Sequence, residues 1–177
     1  MKEPPQILVR LDRCLGCHSC ELACVIAHSN SGTLHQAIAE TERPQRRIFV
    51  ETAAGFKAPI LCRHCEDAPC VRACPSGALS FDHTSGVVRY QNLRCLGCSL
   101  CVLACPMGVI QQHHDQKHIV KCDRCAHLEF PACVSSCPTH ALSWQTTNDY
   151  SAIRRQEVGR RLLHAIDTGG HGRSGPH

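Results

Sequence analysis

Cysteine, at 16 positions in 177 residues, is the residue type here that could do chemistry, and its spacing decides which chemistry. The cysteines fall into four runs with none left over. Run one is Cys14, Cys17, Cys20, Cys24; run two is Cys62, Cys65, Cys70, Cys74. Run three is Cys95, Cys98, Cys101, Cys105; run four is Cys122, Cys125, Cys133, Cys137. Runs one and three read C-x2-C-x2-C-x3-C, a spacing that suits iron–sulfur cubanes. Three thiolates two residues apart wrap a tight loop around one cube. The fourth, three residues on, lies on the following helical turn and points toward a neighbouring cluster. Such a run needs a partner that returns its own fourth cysteine, so four complete runs imply four [4Fe–4S] clusters in two pairs.

Proline follows the fourth cysteine at Pro75, Pro106 and Pro138, where its missing N–H and fixed φ turn the chain out of a short helix. Run one has Val25 there. Runs two and four are stretched between their second and third cysteines, by EDAP and AHLEFPA, which lengthens a surface loop without changing the sulfur set. Zinc is the competing ion for C-x2-C pairs, but a zinc site is complete with four ligands and has no use for the extra cysteine of runs one and three. A zinc-binding interaction protein is the alternative that colour separates, since cubanes are brown. Disulfides fit worse, because C-x2-C-x2-C crowds sulfurs that need specific pairing geometry.

The elements that must position these runs are short. Strands are expected at Gln6–Arg10, Arg47–Thr52, Ile119–Lys121 and Ala141–Gln145, with a hairpin from Leu79–Phe81 to Val87–Tyr90. Short helices suit the third and fourth cysteines of each run. Ser151–Ile166 reads as an arginine-rich helix weakened by Gly159, and Thr168–His177 as a mobile tail. The expected fold class is α+β, built from short strands and helices around the clusters.

The formal charge of +4 counts every cysteine as neutral. Four cubanes held by thiolates add about −8, leaving the oxidised holoprotein near about −4, so nucleic-acid binding is not implied. The N-terminal segment has no signal-peptide core and no apolar run long enough to span a membrane, so reduced cysteines in the cytoplasm are expected. Most of the 13 histidines are expected at the surface, with His18 and His64 as candidate donors to a cluster sulfur. Arg13, Arg63, Arg72, Arg94, Lys121 and Arg124 flank the runs, where positive charge raises a cluster's potential or is simply solvated. No nucleophile motif, phosphate loop or dinucleotide fingerprint is present, so the chain is read as moving electrons for a catalytic partner.

The spacing of runs one and three is that of bacterial two-cluster ferredoxins. With the second run reading CRHCEDAPCVRACPSGAL, Gln6 to about Trp144 resembles the four-cluster electron-transfer subunits of the dimethyl sulfoxide reductase and formate dehydrogenase class. The phrases CLGCHSCELACVIAHS and KCDRC…PACVSSCPTHAL are most similar to CooF-type proteins. That resemblance implies carbon monoxide dehydrogenase as electron donor and a hydrogenase or flavin oxidoreductase as acceptor. The wider class implies a formate dehydrogenase-type catalytic subunit, of a molybdenum or tungsten oxidoreductase, or a hydrogenase complex.

The resemblance also implies a pairing of run one with four and of two with three. The ligand sets would be Cys14, Cys17, Cys20 with Cys137, and Cys122, Cys125, Cys133 with Cys24. The others would be Cys62, Cys65, Cys70 with Cys105, and Cys95, Cys98, Cys101 with Cys74. An outer two-cluster module (1–61 and 118–150) would then enclose an inner one (62–117), followed by a basic extension (151–177). Anaerobically reconstituted protein is expected to hold about 16 iron and 16 sulfide per chain. Metal analysis giving stoichiometric zinc with little iron would exclude this.

Overall fold

Cysteine runs leave little room for long elements, and the computed structural model, which describes residues 3–169, is built from short ones. The strands form four separate two-stranded antiparallel ribbons. β1 (Gln6–Val9) pairs with β8 (Leu142–Gln145), setting Ile7 opposite Trp144 and Val9 opposite Leu142. β2 (Ile48–Ala53) and β3 (Phe56–Leu61) form a hairpin whose two turn residues, Ala54 and Gly55, have φ of 49° and 82°. Two positive φ values are what a tight hairpin turn demands. β4 (Leu79–Asp82) pairs with β5 (Val87–Tyr90), and β6 (Gln111–Gln112) with β7 (Ile119–Val120).

The strands expected from sequence are present to within about a residue at each end. β3 was not expected, and it holds Pro59, which cannot donate to a ladder. In a two-stranded ribbon every strand has a free edge, and there proline is tolerated. The helix α2 (Leu34–Ala39) was likewise not anticipated.

Four short helices deliver the third cysteine of each run to the interior. They are α1 (Ser19–Ala27), α3 (Pro69–Arg72), α4 (Leu100–Ala104) and α5 (Ala132–Ser135), and they bury Cys20, Cys70, Cys101 and Cys133. Three of them stop at or just before the fourth cysteine, where the proline follows. After each proline the chain turns back, with Gly77, Gly108 and His140 at positive φ (63°, 62° and 52°). Their amides donate to the carbonyls of Cys74, Cys105 and Cys137. α1, which has Val25 instead of proline, runs on to Ala27 and so carries Cys24 inside the helix.

Two buried cores result. One joins Ile7, Ile48, Val50, Leu61 and Leu142 to Cys20, Cys24 and Cys133. The other joins Leu79, Val88, Ile110 and Ile119 to Cys70 and Cys101. The first thus draws on both ends of the chain and the second on its middle, with Ile119 just past the boundary expected between 117 and 118.

α6 (Thr147–Gly169) extends the expected C-terminal helix at both ends and passes straight through Gly159, whose surroundings are open. Of the tail expected at Thr168–His177, Thr168 and Gly169 belong to this helix and 170–177 lie outside the described residues. α6 is pinned by Glu157, which accepts from Arg10 (2.7 and 2.6 Å) and Arg13 (2.8 Å). Arg10 itself is buried and also donates to Asp12. The two arginines hold the Glu157 carboxyl below its usual value of 4.5, so the attachment is complete above that pH and is lost as pH falls through the depressed value. Glu157→Gln is expected to speed proteolysis within α6 several-fold at neutral pH while leaving the two cores intact, and acid is expected to do the same to the unsubstituted protein. Limited proteolysis read by mass spectrometry checks both.

Candidate metal centres

Each run turns because particular residues adopt the left-handed conformation. In run one these are Gly16 and His18 (φ 70° and 59°), and in run three Gly97 and Ser99 (66° and 60°). His18 and Ser99 stand directly before α1 and α4, so the helix starts at once and swings Cys20 and Cys101 inward. Gly97 has a second reason to be glycine, since a Cβ there would lie 2.6 Å from the Lys117 carbonyl oxygen. Its amide donates to the Cys95 sulfur at 3.4 Å. In runs two and four the left-handed positions fall on His64 (49°), Arg124 (58°) and Cys125 (51°), and the Arg124 amide donates to the Cys122 sulfur at 3.4 Å. Successive turns of this kind gather backbone N–H groups on one side of the chain, a concavity suited to an anionic group.

All sixteen cysteines are free thiols. Cys14, Cys17 and Cys20 line one small cavity together with Cys137, from the far end of the sequence. Cys95, Cys98 and Cys101 line another with Cys74. Burial pushes the Cys70 thiol up, Lys121 opposes it, and Cys62 and Cys105 add to it as close neighbours. Cys133 is pushed up by burial and by Cys122, Cys24 and Cys125. Cys122, half-buried as a residue but with its sulfur enclosed, is driven up to about 12, with Cys62 and Cys24 among its neighbours. A cluster of thiols that resists ionisation this strongly needs a cation to become thiolate. The donor set fits soft, positively charged iron–sulfur cores, which the thiolates would hold.

The residues 53–147, more than half of the chain, match the family model of the 4Fe-4S dicluster domain, and 11–24 match that of the 4Fe-4S binding domain. The chain belongs to the 4Fe-4S dicluster family. It is 38% identical to the electron transport protein HydN of Escherichia coli, over 89% of this chain and 97% of HydN. It is 37% identical to an iron-sulfur protein of Rhodospirillum rubrum, over 92% of this chain and 93% of that one. It is 36% identical to the thiosulfate reductase electron transfer subunit PhsB of Salmonella typhi, over 86% of this chain and 80% of PhsB. This dicluster protein is therefore an iron–sulfur electron-transfer protein that holds multiple [4Fe–4S] clusters, of a kind with electron transport proteins and the electron transfer subunits of oxidoreductases. Among its described residues no helix is long and apolar enough to cross a membrane.

The charged residues that flank the runs do not behave alike. Arg63 and Arg94 are exposed, Arg72 is exposed on Asp67 (2.8 Å), and Arg13 is tied to Glu157. His18, one of the two candidate sulfur donors, has a side chain 57% exposed and bonds Glu21 at 3.0 Å. His64, the other, is buried, and burial together with Lys121 and Arg124 holds it down to about 2, so its ring is neutral. Lys121 is buried as well.

Sequence reasoning missed His28, Asp123 and Arg47. His28 stands four residues after Cys24 on α1, hence on the same face, and its Nδ1 lies 2.7 Å from the Cys24 carbonyl and 3.7 Å from its sulfur. Burial alone would lower His28; its bonds to Asp123 (3.1 Å), Cys125 and Cys24 override this and hold it up to about 11. Arg47 reaches Asp123 at 2.7 Å, and its amide donates to the Cys24 sulfur at 3.3 Å. His28, Asp123 and Cys125 place one donor atom each within 4.8 Å of one another. The i, i+4 spacing from Cys24 was the signal available for His28. Asp123 and Arg47 offered none.

Proposed function

We propose that this chain is a four-cluster electron relay, and the observation that carries the reading is the lining of the two small cavities. Each is lined by three cysteines of one run and the fourth cysteine of another, Cys137 in one and Cys74 in the other. Cys24 beside Cys122 and Cys133, and Cys105 beside Cys70, extend the same rule to the remaining runs. The ligand sets are then Cys14, Cys17, Cys20 with Cys137; Cys122, Cys125, Cys133 with Cys24; Cys62, Cys65, Cys70 with Cys105; and Cys95, Cys98, Cys101 with Cys74. The inner module (62–117) sits between the two halves of the outer one (1–61 and 118–150). Bound clusters supply one-electron storage; the protein supplies their spacing, burial and charge.

Exposure orders the runs. Cys17 and Cys98 are exposed, each in a loop whose leucine, Leu15 or Leu96, is also bare to solvent. Runs one and three therefore present the two ends at which electrons enter and leave. Runs two and four meet in the middle, where Cys62 and Cys122 are neighbours. Unpaired thiols throughout support a reducing compartment, the cytoplasm. The PhsB relative, a thiosulfate reductase electron transfer subunit, supports work as a subunit beside a catalytic oxidoreductase, and the class resemblance of run two supports one of the molybdenum or tungsten kind. The phrases of run one and run four support carbon monoxide dehydrogenase as the donor, with a hydrogenase or flavin oxidoreductase as the acceptor.

Cys24→Ser is expected to alter the electron paramagnetic resonance signal of the run-four cluster and spare that of run one, although Cys24 belongs to run one by sequence. A change confined to the run-one signal overturns the ligand sets. The partner is tested by bleaching of the visible absorbance with catalytic amounts of enzyme: carbon monoxide with its dehydrogenase against formate with its own. Rapid reduction in the first arm only, at a rate that falls as salt rises, is the expected result. Rapid reduction in the formate arm only moves the relay to a formate dehydrogenase-type partner.

A further inference from the structure

A single buried residue links run two to run four. Val88, on β5, is 1% exposed and uses both its backbone groups outside its own ribbon. Its N–H donates to His64 Nδ1 at 3.1 Å, and its carbonyl accepts from Lys121 Nζ at 2.7 Å. His64 lies inside run two, between Cys62 and Cys65, and Lys121 directly precedes Cys122 of run four. The path from one run to the other is thus a chain of two hydrogen bonds through one residue.

Of the two partners of Val88, Lys121 carries a buried positive charge and His64 a buried N–H donor. Lys121 is 3% exposed, and its ammonium donates to Val88 and to the Cys122 carbonyl (2.6 Å). Among the described residues it forms no ion pair with a carboxylate. Two carbonyl dipoles do not offset the removal of a full charge from water. A counter-charge must lie close by; the Asp123 carboxylate is committed to His28 (3.1 Å) and Arg47 (2.7 Å), which leaves the thiolates of runs two and four. His64 tells the same story with a proton. Because Nδ1 accepts from Val88, the neutral ring carries its hydrogen on Nε2, and among the described residues Nε2 is buried without a partner. Buried N–H groups are rarely left unbonded, so this donor is reserved for something the polypeptide does not supply.

We infer that Lys121 and the His64 Nε2–H form a positively polarised seam at the junction of runs two and four. The seam raises the reduction potentials of that middle pair, Lys121 as counter-charge and His64 as a donor to cluster sulfide. Each reduction there adds one electron and no proton, and the fixed ammonium offsets the added negative charge. The inference rests on the ligand sets proposed above. Lys121 and His64 are positioning residues, since neither is a ligand.

The test is redox titration of the anaerobically purified holoprotein, followed by electron paramagnetic resonance and with iron content measured in parallel. The run-two and run-four signals are first identified by their alteration in Cys65→Ser and Cys133→Ser holoproteins, whose substitutions lie among each run's own first three cysteines. Wild-type protein with fewer than four centres, or a Cys24→Ser protein with an intact run-four signal, would sink the ligand sets before the seam is addressed. Given four centres, Lys121→Met is expected to lower the reduced-to-oxidised ratio of the middle pair about tenfold at a fixed potential, which is ~59 mV for one electron. Lys121→Arg keeps the charge and is expected to stay near wild type. His64→Asn, which tolerates the left-handed backbone, is expected to lower the same pair by a smaller factor. Unchanged potentials in a fully loaded Lys121→Met protein, or a shift confined to the run-one and run-three signals, overturns the seam. Should Lys121→Met fail to hold its iron, His64→Asn decides: a downward shift of the middle pair supports the seam, and wild-type potentials remove it.

Discussion

Thiol groups brought together from distant parts of the chain are the constraint on which the rest of this structure depends. In an ordinary domain of this size the interior is filled by large apolar side chains; here aromatics make up only 4% of the sequence, and buried cysteines take a place in both cores. Crowded, desolvated thiols repel one another once ionised, so metal-free protein gains little by gathering them. Iron–sulfur cores reverse that balance, because each thiolate then faces a cation. Binding and folding are coupled wherever the site does not exist beforehand. The short ribbons and one-turn helices follow from this, since they need only aim sulfurs inward.

The polypeptide answers the negative charge of thiolate-bound clusters with groups it could not otherwise bury. The His28 ring is enclosed and held by Asp123 beside Cys24 and Cys125, and Arg47 completes the network through the same carboxylate. Lys121 is buried with its ammonium on two carbonyl oxygens. Backbone amides of Arg47, Gly97 and Arg124 donate to cysteine sulfurs. Each feature favours added electron density on sulfur, and together they make the electrostatics of the interior as much a product of the fold as the sulfur positions are. The same logic separates the flanking basic residues: Arg63, Arg72 and Arg94 stay in solvent, while Lys121 does not.

Local rules recur wherever the same residues recur. Proline after the fourth cysteine ends α3, α4 and α5, and valine in its place lets α1 continue. Left-handed residues at fixed offsets bend all four runs, with glycine in two of them and His64 and Arg124 in the others. A non-glycine residue at such a position is disfavoured in isolation. His64 is repaid by its buried bond to Val88, and Arg124 by its bond to the Ser85 carbonyl (3.2 Å).

The sequence by itself determined the number of sulfurs, their grouping into runs, the turns around each run and the strands beside them. These depend on neighbours a few residues apart, and a spacing such as C-x2-C-x2-C-x3-C carries that information whole. β3 and α2 escaped it because Pro59 argues against a strand except at a free edge, and a six-residue helix leaves little periodicity. Tertiary structure alone decided which basic residues are buried, that His28 pairs with Asp123, and that Val88 links His64 to Lys121. Burial of a charge depends on partners far away in sequence, here a carbonyl 33 residues distant, and no local pattern records that.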